Sequence, residues 1–337
     1  MQTINVLVIL GIIIPAVVGF IIVDRFTPYL ASFMKKKGIT GVDVHKLDKP
    51  SLPEMGGISI ILGLTISIII LILFLPFYAL EFLAFILVVL VAAVIGYLDG
   101  LRPWKAKTKI VVVALACLPI IIIGAYETTP LAPFIGQLRL TILYPIAFVP
   151  IFITLTANST NMIDIFNGSM AGTSAIAASF LFCTAIIFGK FEAAIMYAPL
   201  IACLVAYYRY NRYPAKVFGG DVGSLAVGAA FGAIGIISGL EVVTLIALLP
   251  FMINGSLNLS SVGRLFEHRE IKDRPIVLLD DGKIAANTSK NAPVTLSRLI
   301  LTYGALKEYE IVRSFIALTL LAGALAILTA AFMVVWT

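Results

Sequence analysis

The sequence predicts an all-α, polytopic integral membrane protein of about ten transmembrane helices, with its polar, chemistry-bearing loops on the cytoplasmic face. Three observations carry this. Of 337 residues 61% are apolar and only 12% charged, and the mean hydropathy is +1.07, whereas a soluble chain carries about a quarter charged residues. Apolar runs of about twenty residues, each enough to cross the hydrocarbon, recur from one end to the other. Of the 24 Lys and Arg residues, all but Arg139 and Lys190 fall in alternate connections between those runs.

The first run covers about 4–23 and is followed by Asp24-Arg25 with no small-residue cleavage pattern. It reads as a retained helix and not a removed signal peptide. The others lie near 56–75, 80–98, 110–124, 141–157, 170–189, 193–208, 222–239, 242–260 and 312–336, the fourth and fifth being short. Backbone groups in lipid must be satisfied within the segment, and unbroken apolar runs are not the alternating strands of a barrel, so the spans are helices. An even number of spans puts both termini on one side. The connections that carry the bases, about 24–55, 99–109, 209–221 and 261–311, then lie in the cytoplasm, with the 158–169 connection on the same side and the termini outside. No internal repeat and no linker-like composition interrupts the chain, so 1–337 reads as a single domain.

The net charge of +6 reflects this topology and attraction to anionic membrane lipids. No motif interleaves aromatic residues with the bases, so nucleic acid is not an expected partner. Cys117, Cys183 and Cys203 sit in apolar runs without metal-ligand spacing and read as packed thiols. The sequons at Asn158, Asn167, Asn254, Asn258 and Asn287 fall at cytoplasmic or membrane positions, where glycans are not expected.

Polar residues at membrane depth are costly and mark function. Here they gather at five cytoplasmic span ends. The segment from Lys46 to Gly57 holds two prolines, Glu54 and a Gly-Gly pair. Asp99 closes a span, where the helix dipole opposes a carboxylate, and the bases from Arg102 to Lys109 follow it. Asn158, Asn161, Asp164 and Asn167 recur every three residues, a donor set that suits a hard cation or a sugar nucleotide. In Phe218-Gly-Gly-Asp-Val-Gly-Ser224 the glycines are expected to let backbone approach a ligand, with Asp221 at a helix N-terminus holding a divalent metal. The long last loop contains His268, Lys272 and Arg274, which suit a pyrophosphate or a sugar. Carboxylates, amides, glycine turns and bases on one face are the equipment of phosphoryl transfer.

The order of these motifs, from about residue 45 to residue 300, resembles the polyprenyl-phosphate N-acetylhexosamine-1-phosphate transferase family, most of all its eukaryotic and archaeal dolichyl-phosphate N-acetylglucosamine branch. The resemblance implies a Mg2+-dependent enzyme, with Mn2+ as an alternative ion. A polyprenyl or dolichyl phosphate attacks UDP-N-acetylglucosamine, and UMP leaves. It implies a multi-pass protein of the cell membrane, or of the endoplasmic reticulum membrane in a eukaryote, in a pathway of lipid-linked glycan assembly; a homodimer is one assembly it allows. The site set that follows has Asp99, Lys109 and Asp164 as catalytic residues. Asp221 and Asn161 hold metal, and Glu54, Asn158, Asn167, Phe218, His268, Lys272 and Arg274 bind substrate. Within it the family pattern pairs Lys109 with Asp99, reads uracil at Asn167 and packs Phe218 on the base. Two departures stand out. Gly100 replaces the usual second acid, and the bacterial His-rich motif is reduced to His268, which favours the dolichyl branch. A CDP-alcohol phosphotransferase would need further aspartates after Asp99. A transporter or flippase, the other reading of a polytopic chain, would place its polar residues near the bilayer midplane.

Overall fold

The computed structural model describes residues 6–262 and 273–336. It is helical apart from three two-stranded hairpins. In chain order the elements are α1 (Val6–Lys36), the hairpin β1 (Thr40–Val42) and β2 (Ser51–Pro53), α2 (Gly57–Phe74), α3 (Ala79–Leu101), α4 (Ala106–Ala114) and α5 (Leu118–Ile123). The hairpin β3 (Leu131–Ala132) and β4 (Gly136–Gln137) leads to α6 (Val149–Ile163), α7 (Ser169–Ile187), α8 (Phe191–Asn211) and α9 (Gly220–Ser238). Then come α10 (Glu241–Ala247), α11 (Leu249–Val262), the hairpin β5 (Ile276–Leu278) and β6 (Ile284–Ala286), α12 (Leu296–Ile300) and α13 (Glu308–Trp336). Among the described residues, nine helical stretches are long and apolar enough to span a membrane, and the pair α10–α11, bent by 72°, brings the number to ten if it is counted as one broken span. The chain is a multi-pass membrane protein of the expected helical class.

Several boundaries differ from the sequence reading. The first helix does not end at residue 23 but runs to Lys36, so the loop expected from about 24 begins thirteen residues later. Asp24-Arg25 marks the edge of the apolar run without breaking the helix. Arg209 Nη1 pairs with Asp24 Oδ1 at 2.6 Å and the Tyr210 hydroxyl donates to the Asp24 carbonyl at 2.9 Å, so α8 supports α1 at that level. The polar segment expected as a loop over 158–169 starts inside α6, which carries Asn158 and Asn161 as helical residues. The short fourth run is a helix tightened to 3-10 geometry over Leu115–Cys117.

The architecture centres on α9, buried continuously from Val222 to Ser238 and packed against α3, α6, α2 and α8. Lipid tails are as apolar as side chains, so helices in a membrane gain by approaching closely through small residues. A methyl group at Gly228 would lie 2.5 Å from the Thr156 carbonyl oxygen of α6, and one at Gly232 would meet the Thr156 hydroxyl at 2.5 Å. Gly57 of α2 faces Gly223 of α9 so closely that a methyl group on Gly57 would sit 2.2 Å from the Gly223 Cα. Gly96 of α3 likewise abuts the Asp221 carbonyl. This corrects one expectation: Gly223 serves helix packing and not the approach of a ligand.

Backbone bonds complete the junction. Phe218 N–H donates to the Pro53 carbonyl at 2.9 Å, Gly56 N–H to Phe218 at 2.8 Å and Gly57 N–H to Gly219 at 3.0 Å. Gly220, at φ 67°, turns the chain into α9 in a conformation that favours glycine.

Candidate active site

Four helix ends meet at one charged cluster. Asp99 closes α3, Lys109 lies in the first turns of α4, Asn161 in the last turn of α6 and Asp221 in the first turn of α9. The Lys109 ammonium is 2.8 Å from Asp99 Oδ2 and 2.7 Å from Asp221 Oδ2. Asp99 Oδ1 accepts the Trp104 N–H at 2.7 Å, which holds the carboxylate at the end of its helix. The Asn161 amide, in the orientation that satisfies its neighbours, donates to Asp221 Oδ1 at 3.0 Å and to Ser224 Oγ at 2.7 Å, and accepts from Lys109 at 3.0 Å. Asp99 and Lys109 are 4% and 8% exposed, so each charge relies on the other for compensation.

Asp164 ends α6 beside this group. Burial, and next the carboxylate of Asp221, push its carboxyl up to about 7. Asp99 and Asp221 thus share the one ammonium of Lys109, and Asp164 adds a third carboxyl group in the cavity beside Asp221. Asp221 and Asp164 present hard oxygen atoms, the donor chemistry that Mg2+ prefers, while the Asn161 oxygen faces Lys109 and its amide nitrogen faces Asp221.

Asp221 is a wall common to three cavities. One of about 350 Å3 is also lined by Asn161, Asp164, His45, Arg274 and Ser297. Another of about 230 Å3 adds Glu54, Phe166, Asn211 and Phe218. A third, of about 150 Å3, reaches Met55, Asp99, Gly100 and Pro103. Arg274 is therefore across a cavity from Asp221, while Glu54 and Phe218 share one with it.

Two residues of the expected set lie elsewhere. Asn158 Nδ2 donates to the Thr154 carbonyl at 2.8 Å, and the residue lines a largely apolar groove of about 230 Å3 with Ile110, Met162, Met252 and Leu259. Asn167 is buried in a second polar network: its Nδ2 donates to Asp43 Oδ2 at 3.0 Å and to Glu308 Oε1 at 2.6 Å. His268 and Lys272 lie outside the described residues.

Of that second network the sequence singles out only Lys46 and Asn167. Lys46 bridges Asp43 and Glu308, the latter at 3.5 Å, and sits 4.9 Å from the centre of the Tyr213 ring. Burial alone would raise the Asp43 carboxyl, but hydrogen bonds from Lys46 and Asn167 bring it below its ordinary value. Burial above all, with Lys46 and Arg274 adding to it, lowers His45 to about 4, so this ring is neutral at pH 7 and packs on Phe166 with centroids 4.9 Å apart. The acid-histidine group Asp43, His45 and Glu308 has metal-like spacing, but the Lys46 ammonium already satisfies both carboxylates.

A chain that crosses the membrane nine or ten times and gathers such a cluster at its helix ends has the form of a membrane-embedded transferase. Comparison agrees. The sequence profile of glycosyl transferase family 4 matches residues 82–239, the stretch that carries Asp99, Lys109, Asn161, Asp164 and Asp221. A Methanocaldococcus jannaschii protein that bears the name of a glycosyltransferase is 30% identical over 299 residues, 87% of this chain and 89% of the relative. A Sulfolobus acidocaldarius protein named for UDP-N-acetylglucosamine–dolichyl-phosphate N-acetylglucosaminephosphotransferase is 28% identical over 324 residues, 94% of this chain and 96% of its own. A phospho-N-acetylmuramoyl-pentapeptide-transferase of Thermoanaerobacter is 31% identical over 248 residues, 69% and 77% of the two chains. The chain belongs to glycosyl transferase family 4, as the sequence motifs implied.

Proposed function

We propose that this protein transfers N-acetylglucosamine-1-phosphate from UDP-N-acetylglucosamine to a polyprenyl phosphate of the dolichyl type, releasing UMP. The observation that carries the reading is the Lys109 ammonium shared by Asp99 and Asp221; Asp221 is a wall of three cavities, and Ile110, the residue after Lys109, lines an apolar groove. That groove lies between α4, α6 and α11, beyond the bend from α10. It offers an isoprenoid tail a path from the bilayer, while the polar cavities suit a water-soluble nucleotide sugar.

An oxygen of the lipid phosphate attacks the β-phosphorus of the nucleotide sugar, the bond to the α-phosphate oxygen breaks, and UMP departs. Lys109 places positive charge at the reacting phosphates and Asp99 fixes that ammonium in position. Neither residue need remove a proton, because a phosphate monoester is largely ionised near pH 7. Asp221 and Asn161 would hold Mg2+, or Mn2+ in its place, with Asp164 beside them. The ion supplies charge neutralisation on the transferring group. Arg274, across the cavity of about 350 Å3 from Asp221, is suited to the pyrophosphate; Glu54 and Phe218 border the nucleotide-sugar space. Asn158, at the apolar groove, suits the lipid phosphate, and Asn167 the base. The one-sided bases support a site on the cytoplasmic face of the cell membrane, and in this reading the whole chain acts as one domain.

The purified protein is expected to release UMP from UDP-N-acetylglucosamine only when both Mg2+ and a polyprenyl phosphate are present. Movement of a lipid-linked sugar across liposomes with no UMP formed would instead identify a transporter. Gly100 can be tested in the same assay. An added Cβ would meet only the terminal methyl of Met55, at 3.2 Å, and the position is exposed. Gly100→Asp, which restores the second acid, is expected to stay within about threefold of the parent rate, the scale of a tolerated surface change. A hundredfold loss would show that the lone Asp99 is essential to this chain's geometry.

A further inference from the structure

Asn167 sits at the turn before α7 and is 4% exposed. Its main-chain N–H donates to Glu308 Oε1 at 2.7 Å, and its side-chain Nδ2 donates to that same oxygen at 2.6 Å and to Asp43 Oδ2 at 3.0 Å. A carboxamide has two N–H donors, and here both go to carboxylates. The carbonyl Oδ1 is buried with no partner among the described residues.

The orientation is imposed. Turning the amide over would press Oδ1 against two carboxylate oxygens and leave both donors without acceptors. The carboxylates are fixed in turn by Lys46, and the start of α13 is tied to the turn by Phe166, whose ring lies 6.0 Å from that of Phe315. Ile165 and Phe166, the two residues before Asn167, line the cavity that contains Phe218. A buried acceptor left open calls for a donor, and the chain just before it walls a cavity that has Phe166 and Phe218 as aromatic sides.

We infer that Glu308 is a positioning residue for base recognition. With Asp43 it takes both hydrogens of the Asn167 amide, so that Oδ1 is the only function the side chain offers. The base admitted there presents an N–H, as the imide of uracil does. A base presenting a bare ring nitrogen at that edge, as cytosine does, would set acceptor against acceptor. This rests on the proposed reading of Asn167 as a nucleotide contact and adds the residue that gives the contact its sign. Glu308 belongs to the last helix, 141 residues further along the chain, and needs no contact with substrate.

Glu308→Gln tests the inference in the full-length protein. Glutamine has nearly the same shape but can donate as well as accept, so the Asn167 amide is free to turn. The KM for the UDP-sugar is expected to rise about tenfold or more with a much smaller change in kcat, because sites built on one hydrogen-bond pattern reject its inverse strongly. The preference for UMP over CMP as competitive inhibitors should fall by a similar factor. A purely structural role would lower stability or kcat without moving that ratio. Asn167→Leu separates the two readings. If it keeps parental UMP affinity, Asn167 is not a nucleotide contact and the reading beneath fails. If it loses UMP binding while Glu308→Gln keeps both KM and the UMP-to-CMP ratio, the role given to Glu308 is overturned. Should Glu308→Gln fail to fold, Asp43→Asn removes the other carboxylate and is expected to lower the same ratio; an unchanged ratio there also overturns the inference.

Discussion

Asp221→Ala is expected to abolish turnover, by about a thousandfold or more, while the protein remains folded and monodisperse in detergent. Removing one fixed electrostatic contact to a transition state costs about a hundred- to a thousandfold. In the proposed reading Asp221 makes two such contributions, as ligand to the ion and as partner to Lys109, from which it lies 2.7 Å. The fold should survive because the α9 junction does not use the carboxylate. It is made by the main chain of Phe218 and Gly219 with Gly56 and Gly57, and by the contact of Gly57 with Gly223. UMP release gives the rate, and Mn2+ titration followed by electron paramagnetic resonance gives the metal affinity. A variant with the parent rate and the parent metal affinity would remove Asp221 from the metal site.

Lys109→Met is the second large effect, and it strikes stability as well as rate. Methionine keeps most of the apolar stem and removes the ammonium. Asp99, 4% exposed, then loses its cation, and breaking a buried pair in this way costs about 3–5 kcal/mol. The melting temperature should fall clearly and no UMP release should remain. Adding Asp99→Asn takes away the more deeply buried of the two carboxylates that Lys109 had covered. The double variant should regain part of the lost stability and none of the rate, because the positive charge at the phosphates is still missing. Coupling of this kind is expected for groups in direct contact. If Lys109→Met melts with the parent, the pair is not compensated as its geometry indicates.

The spans and the main cluster were readable because both depend on contrast along the chain. Asp99, Asn161 and Asp221 each interrupt an apolar stretch at the point where a helix meets water, and a carboxylate there is conspicuous. Span lengths were less readable, since a helix need not stop where its apolar residues do, as α1 shows at Asp24. The three-residue spacing of Asn158, Asn161, Asp164 and Asn167 misled in a specific way. Each step of three turns about 60° back around a helix of 3.6 residues per turn. Asn158 and Asn161 therefore face different clefts, and α6 ends at Ile163 before the last two. Glu308 and Asp43 were missed because each, alone, is an ordinary acid at an element boundary. Their meaning comes from Asn167, 141 and 124 residues away. The glycines of the Asp221 motif were conspicuous, but only the packed helices show that Gly223 answers to Gly57.

The charged cluster also has an order of assembly. Lys109 follows Asp99 by ten residues, while Asp221 joins it from 112 residues further on. A chain is made from its N-terminus, and its early parts settle first. The turn from α3 to α4 can thus enter the bilayer as a neutral pair, with each ion already covered. It then waits through the synthesis of α6, α7 and α8. When α9 arrives, Asp221 meets an ammonium that is already in place and completes a cluster to which the end of α6 has brought Asp164. The costly state, several acids together at the membrane edge, exists only once the helices that hold it are present.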